Sequence, residues 1–158
     1  MTRDVTPEPV DRSRLSPAAH EVVRTGITTA PVSAAVLAAA VGRPAAGAVV
    51  TFDGVVRDHD GGRPVQGVEY VAHPSAGAVL ADVAARVAGR HEVDALAVEH
   101  RTGELAVGDG ALAVAVAAAH RAEAFRAAAD LVDEVKAALP VWKRQVFADG
   151  THEWVACP

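Results

Sequence analysis

Among thirteen arginines the chain has two lysines, Lys136 and Lys143, seven positions apart near the C-terminal end. Elsewhere this composition meets a need for positive charge with arginine. A lysine therefore points to an amine that can give up its proton and attack, which a guanidinium does not supply. Chance within a biased composition is the alternative. On a helix expected over 122–139, Phe125, Ala128, Val132, Val135 and Leu139 form one stripe, and Glu123, Arg126, Asp130, Asp133 and Glu134 lie opposite. At about 100° per residue, Lys136 falls at the edge of the apolar stripe, close in azimuth to Phe125. Apolar surroundings favour a neutral amine. An Asp133–Lys136 surface pair, worth about 0.2–0.5 kcal/mol, is the other reading.

Lys143 follows Pro140 in the strand-like run VWKRQVF, where it shares a face with Val141 and Gln145 and alternates with Trp142 and Arg144. A short helix-to-strand connection would allow both lysines to reach one cleft. His120 and Arg121 stand where an apolar strand ends and the long helix begins, with no Ser, Thr, Asp or Asn to cap it. An anion there would meet the first N–H groups, the helix dipole and both side chains, so the position is a candidate phosphate cradle; water at an exposed end is the bland alternative. Arg57 ends a strand just before a Gly-rich turn and by itself reads equally well as a solvated charge. The seven histidines are scattered, with no HExxH and no His/Cys pair at ligand spacing, and no P-loop, GxGxxG or GxSxG is present. No metal site is expected. Cys157, the single cysteine, excludes a disulfide framework and reads as a terminal thiol.

The elements that must hold these residues follow from periodicity. Residues 1–21 are charged, Pro-rich and aperiodic, an expected flexible extension before one domain over 22–158. Strands are expected at 22–29, 48–57, 65–72, 95–100, 111–119, 141–148 and 153–156, and helices at 33–41, 75–89 and 122–139. The 48–57 and 65–72 strands are expected to pair as a hairpin around HDGGRP, its loop carrying Arg57, His59 and Arg63. The order β-α-β-β-α-β-β-α-β-β fits an α+β sandwich of antiparallel or mixed strands with about three helices, and not a doubly wound sheet. A formal charge of −5 and the lack of a basic run argue against nucleic-acid binding. The longest apolar run, Ala111–Ala119, is too short for a bilayer, and Met1–Ser16 carries charges where a secretory signal needs apolar residues, so a cytoplasmic, non-membrane protein is expected.

The stretches AGAVVTFDGVVRDHDGG (46–62), HRTGELAVGD (100–109), AAHRAEAF (118–125) and VDEVKAALPVWKRQVFADGTHEWV (132–155) closely resemble the catalytic, large subunit of molybdopterin synthases. The resemblance runs in order over about 22–156. It implies an α/β-hammerhead-like subunit that dimerises and binds a small ubiquitin-like sulfur-carrier subunit per copy, giving a heterotetramer. The carrier's C-terminal Gly-Gly thiocarboxylate would deliver sulfur to cyclic pyranopterin monophosphate, forming the dithiolene of molybdopterin without a separate cofactor. Position by position, the resemblance implies Lys136 and Lys143 as active-site lysines, His120 and Arg121 as substrate-phosphate contacts, and Arg57 as an arginine from the neighbouring subunit, with Arg144 a weaker candidate beside Lys143. A non-catalytic paralogue that keeps only the dimer and the carrier surface is the competing reading. Three departures stand out. Gln145 occupies a position where the family commonly has Glu, so a carboxylate that would orient Lys143 is expected to be missing; His73 and Asp53 replace residues usually aromatic and apolar.

Overall fold

The computed structural model describes residues 14–156. Expectations for residues 1–13 and for Cys157 lie outside the described residues. The chain forms, in order, β1 (Glu21–Thr28), α1 (Ala34–Val41), β2 (Ala48–Val55), β3 (His59–Asp60), β4 (Arg63–Ala72), α2 (Ala76–Arg90), β5 (Ala95–Arg101), β6 (Gly103–Ala106), β7 (Gly110–Ala118), α3 (Arg121–Ala138), β8 (Val141–Phe147) and β9 (His152–Ala156). The α+β class and the three expected helices are present.

The first sheet has the order β1-β5-β7-β2, with β1 and β5 parallel and the other pairs antiparallel. Its centre is apolar on both faces because both are covered. Along β7, Ala113, Ala115 and Ala117 point towards α1, whose Ala34, Leu37 and Val41 complete a small-residue core. The alternate residues Leu112, Val114, Val116 and Ala118 face the other way, under α2 and α3, and build the main core with Leu80, Val87, Leu131 and Val135. Alanine on one face lets α1 approach closely, while the branched side chains fill the deeper layer.

The second sheet runs β3-β4-β8-β9, with β6 also pairing with β4. Its inner face contributes Val65, Val68, Leu105 and Phe147 to a satellite core, and the Arg63 guanidinium lies 3.6 Å from the centre of the Phe147 ring. Across the junction, α2 and α3 are tied by Arg90 to Asp130 and Glu134, each at 2.5 Å, and by His91 Nε2 to Asp130 at 2.7 Å. Arg14, just ahead of β1, pairs with buried Asp94. Among the described residues no helix is long and apolar enough to cross a membrane.

Three expectations need correction. The 48–57 and 65–72 strands are not a hairpin: β2 pairs with β7 from Ala48↔Ala118 to Val55↔Gly110, while β4 pairs with β6 and β8 in the other sheet. The register shifts between Gly54 and Val55, and Val56 N–H then bonds to the Asp109 carbonyl, so the chain leaves the first sheet there. HDGGRP instead closes the two-residue β3 onto the start of β4, with Gly61 and Gly62 at φ 55° and 76°, the left-handed pair that a tight turn of this kind requires. The short strand β6, part of HRTGELAVGD, went unread because four residues between two turns carry too little periodicity. The third correction concerns α3. Its buried face is Ala124, Ala127, Ala128, Leu131, Val132 and Val135, and Phe125 stands 61% exposed. The helix lies on the sheet through alanines, which a stripe drawn through its largest apolar side chain places too far round the helix.

The seat of α3 decides where Lys136 points. Leu131→Ala, at a fully buried site, is expected to cost about 2–5 kcal/mol in urea unfolding. Phe125→Ser should cost clearly less than Leu131→Ala in the same assay, and equal losses would contradict the observed face.

Candidate functional site

The two lysines are brought together by the α3–β8 connection. Leu139 N–H closes the last helical bond to the Val135 carbonyl, the Pro140 carbonyl accepts from His73 N–H, and buried Leu139 and Val141 lock both sides of the bend into the main core. Along β8, Val141, Lys143, Gln145 and Phe147 share the inner face, with Lys143 opposite Tyr70 and Gln145 opposite Val68 on β4.

Two adjoining cavities, of about 110 Å³ and about 240 Å³, share Val55, Tyr70, Lys136 and Lys143 in their walls. They form one cleft with two characters. The smaller end is closed by Ala111, Leu112, Val135 and Leu139 and contains His100. The larger end is polar, with Arg57, His59, Asp60 and Gln145. Among the described residues neither lysine has a carboxylate within salt-bridge distance, so the Asp133–Lys136 pair does not form. Nor, among those residues, is there a cluster of His, Cys, Asp or Glu able to hold a metal ion.

His100, only 5% exposed, is a site residue that sequence reasoning passed over. Its Nδ1–H donates to the Arg101 carbonyl at 2.7 Å, and its ring meets Tyr70 edge-on at 5.1 Å between centroids. Burial pushes its pKa below 6.5; the Arg101 hydrogen bond opposes this, and the positive charge of Lys136 adds to the lowering. The imidazole is therefore neutral near pH 7. Period-2 alternation along β5 contained the signal: Leu96, Val98 and His100 fall on the face of the first sheet that α2 and α3 cover.

Asp60 was read only as part of a turn. Its Oδ2 accepts from Gln145 Nε2 at 2.6 Å and its Oδ1 from Arg57 at 3.2 Å. The Gln145 bond chiefly holds the Asp60 pKa below the ordinary carboxylate value, with Lys143 and Arg57 acting in the same direction against partial burial. The missing carboxylate expected from Gln145 is thus supplied from the turn. The other departures serve helix ends: Asp53 accepts from Ala34 N–H at 3.1 Å at the start of α1, and His73 Nδ1 accepts from Ser75 N–H at 3.1 Å ahead of α2.

The other predicted site residues are distributed differently. Arg57 lines the cleft of its own chain. Arg144 turns to the outer face of the second sheet, where it meets Glu69 at 3.5 Å, away from the cleft. His120 is the N-cap residue of α3 and makes no side-chain cap hydrogen bond, as the sequence led us to expect; Arg121 follows, exposed. Lys136 lies fifteen positions along the helix from Arg121, about 22 Å at 1.5 Å per residue. One chain therefore holds two separate cationic groups, not a single one.

Known proteins share this fold. A molybdopterin synthase catalytic subunit from Aspergillus clavatus is 41% identical over 112 residues, covering 70% of this chain and 57% of that protein. Molybdopterin synthase catalytic subunit 1 from Mycobacterium tuberculosis is 39% identical over 130 residues, covering 82% and 88%. The chain thus spans little over half of the first relative and most of the second. The crystal structure of molybdopterin synthase from Staphylococcus aureus superposes with a TM-score of 0.74 at 28% identity, over 82% of this chain and 95% of that one. A protein–protein complex of subunits 1 and 2 of the molybdopterin-converting factor from Helicobacter pylori shares the fold at 18% identity, with a TM-score of 0.61 over 84% of this chain and 88% of that one. The family model described as MoaE protein matches residues 27–138, and the chain belongs to that family.

Proposed function

We propose that this chain is the catalytic subunit of a molybdopterin synthase, a sulfurtransferase that moves sulfur from the C-terminal Gly-Gly thiocarboxylate of a small ubiquitin-like carrier onto cyclic pyranopterin monophosphate to form the dithiolene. The observation that carries this reading is that the only two lysines of the chain, from different elements, line one cleft. Thiocarboxylate and phosphate are both anions, and the charge that develops during sulfur transfer is negative. Lys136, Lys143 and Arg57 set three cations around a part-apolar cleft, where preorganised charge acts more strongly than in water. Lys136, beside a neutral imidazole and apolar side chains, is the proton-exchanging amine. Lys143 and Arg57 hold the anions.

His120 and Arg121 fit the same reaction when a second copy supplies them. A small substrate in the lysine cleft does not reach along α3 to the helix start of the same chain. A homodimer that sets the α3 start of one copy against the cleft of the other completes the phosphate contacts. The outer face of the second sheet leaves Val71, Trp142 and Trp154 about half exposed, apolar surface of the kind that a partner subunit covers. The two-subunit complex of the Helicobacter pylori protein is in keeping with a small carrier as a further partner.

Single-turnover product formation with a preloaded thiocarboxylated carrier tests the reading. Lys136→Arg keeps the charge and the aliphatic stem but not the exchangeable amine, and is expected to lose on the order of a hundredfold or more in rate while retaining its melt and carrier affinity. Near-normal turnover would reduce Lys136 to a surface charge. No transfer by the unaltered chain, with carrier still bound, would favour the scaffold reading.

The shared site is tested by mixing. Lys136→Arg and Arg121→Ala chains, each inactive alone, should regain about a quarter of the full activity when unfolded and refolded together, because half the dimers are mixed and each mixed dimer has one intact composite site. No recovery, with mixed dimers demonstrated, would place both residues in one chain's site.

A further inference from the structure

We propose that Asp60 is a positioning residue of the cleft, a buttressed carboxylate that holds Arg57 and Lys143 as fixed cations facing the substrate anion, with Gln145 as its anchor. This rests on the sulfur-transfer reading for what the cations hold, but not for how they are held.

The geometry is specific. Gln145 is 2% exposed on the inner face of β8, and a buried amide must spend its hydrogen-bonding capacity well. It donates Nε2 to Asp60 Oδ2 at 2.6 Å, across 85 positions of sequence. The remaining oxygen, Oδ1, accepts from Arg57 at 3.2 Å. The carboxylate is delivered there by the β3 turn, which Gly61 and Gly62 close at positive φ, and the pairing of Asp60 with Arg63 sets its register. Lys143 lies two positions from Gln145 on the same face of β8 and shares the polar end of the cleft with Asp60 and Arg57. Asp60 thus sits among side chains from the turn and from β8, and its single negative charge serves two cations. Among the described residues no ion pair joins Lys143 to Asp60, so the carboxylate acts on the ammonium through space from the shared wall of the cleft and leaves the ammonium hydrogens for a ligand. An amide at 145 and a carboxylate at 60 is one of two arrangements that keep the same hydrogen bond; the other exchanges them.

That exchange is the test. Asp60→Asn retains an oxygen for Gln145 but removes the charge. Gln145→Glu places two carboxylates in contact. Asp60→Asn/Gln145→Glu restores one carboxylate and one amide. Because the chain has two lysines, protein labelled with 13C-lysine gives two side-chain Cε signals, assigned through Lys136→Arg and Lys143→Arg. In Asp60→Asn the Lys143 signal is expected to move and the Lys136 signal to stay, with an unchanged melt. Single-turnover transfer should fall about tenfold, the scale of one partly screened charge, with carrier affinity unaltered. The double variant should return the Lys143 signal and bring transfer to within about threefold of the starting protein, whereas Gln145→Glu alone should not. A Lys143 signal unmoved by Asp60→Asn overturns the proposal, as does a moved signal with undiminished transfer, or a double variant that fails to recover while folded. If the unaltered chain transfers no sulfur yet the lysine signals respond as described, the functional reading fails and the electrostatic arrangement stands.

Discussion

The site depends on one covalent constraint, the bend at Leu139-Pro140-Val141. Proline ends α3 because it lacks the N–H that another turn needs and clashes with the preceding one. The residues on either side are buried in the main core, so the bend cannot swing. A helix packed on the first sheet therefore hands the chain directly to a strand of the second. Lys136, in the last turn of α3, and Lys143, near the start of β8, both line the cleft in the gap between the two sheets. Every other feature of the cleft is arranged around that gap. Tyr70 comes from the neighbouring strand β4, His100 from the end of β5, and Arg57 and Asp60 from the chain as it crosses from β2 to β4.

Much of this was legible because the strong signals are local. The helices, the period-2 strands and the Pro140 stop lie in short windows, and the lysine pair stood out by residue type alone. Pairing partners were less legible. The β2-turn-β4 segment has the local pattern of a hairpin, and nothing within it reveals that β2 finds a better-buried neighbour in β7, about sixty residues later. Asp60 was hidden for the same reason: in HDGGRP it is a turn residue, and its function appears only when β8 brings Gln145 against it. Phe125 misled because size was taken as a marker of burial, whereas α3 meets its sheet through Ala124, Ala127 and Ala128. In an Ala-rich chain, close approach is achieved by small residues, and a large one stays outside the contact.

The charge pattern shows a similar division. The chain has five more acidic than basic residues, yet its cleft is cationic. Many acidic groups are occupied elsewhere in structural work: Asp94 holds Arg14, Glu99 holds Arg24 at 2.6 Å, and Asp130 and Glu134 clamp Arg90 between the two helices that cover the main core. Asp60 is the acid that joins the site. It does so at the polar end of the cleft, which Arg57 and Lys143 also line, a placement that lessens the repulsion between these cations while leaving the cleft with net positive charge.

The length of α3 then becomes a ruler. Its start carries His120 and Arg121 and its end carries Lys136, so the helix that supports both cationic groups also keeps them apart. An eighteen-residue helix seated by six buried side chains on a sheet that is itself covered on both faces does not bend to bring its ends together. If both groups serve one small anionic substrate, symmetry resolves the separation: a two-fold axis that sets two such helices so that each start meets the other's end creates two equivalent sites, each with lysines from one copy and the helix-start cations from the other. Under this arrangement the monomer is an incomplete enzyme by construction, and the rigidity that would be a defect in one chain defines the spacing between the two sites in the pair.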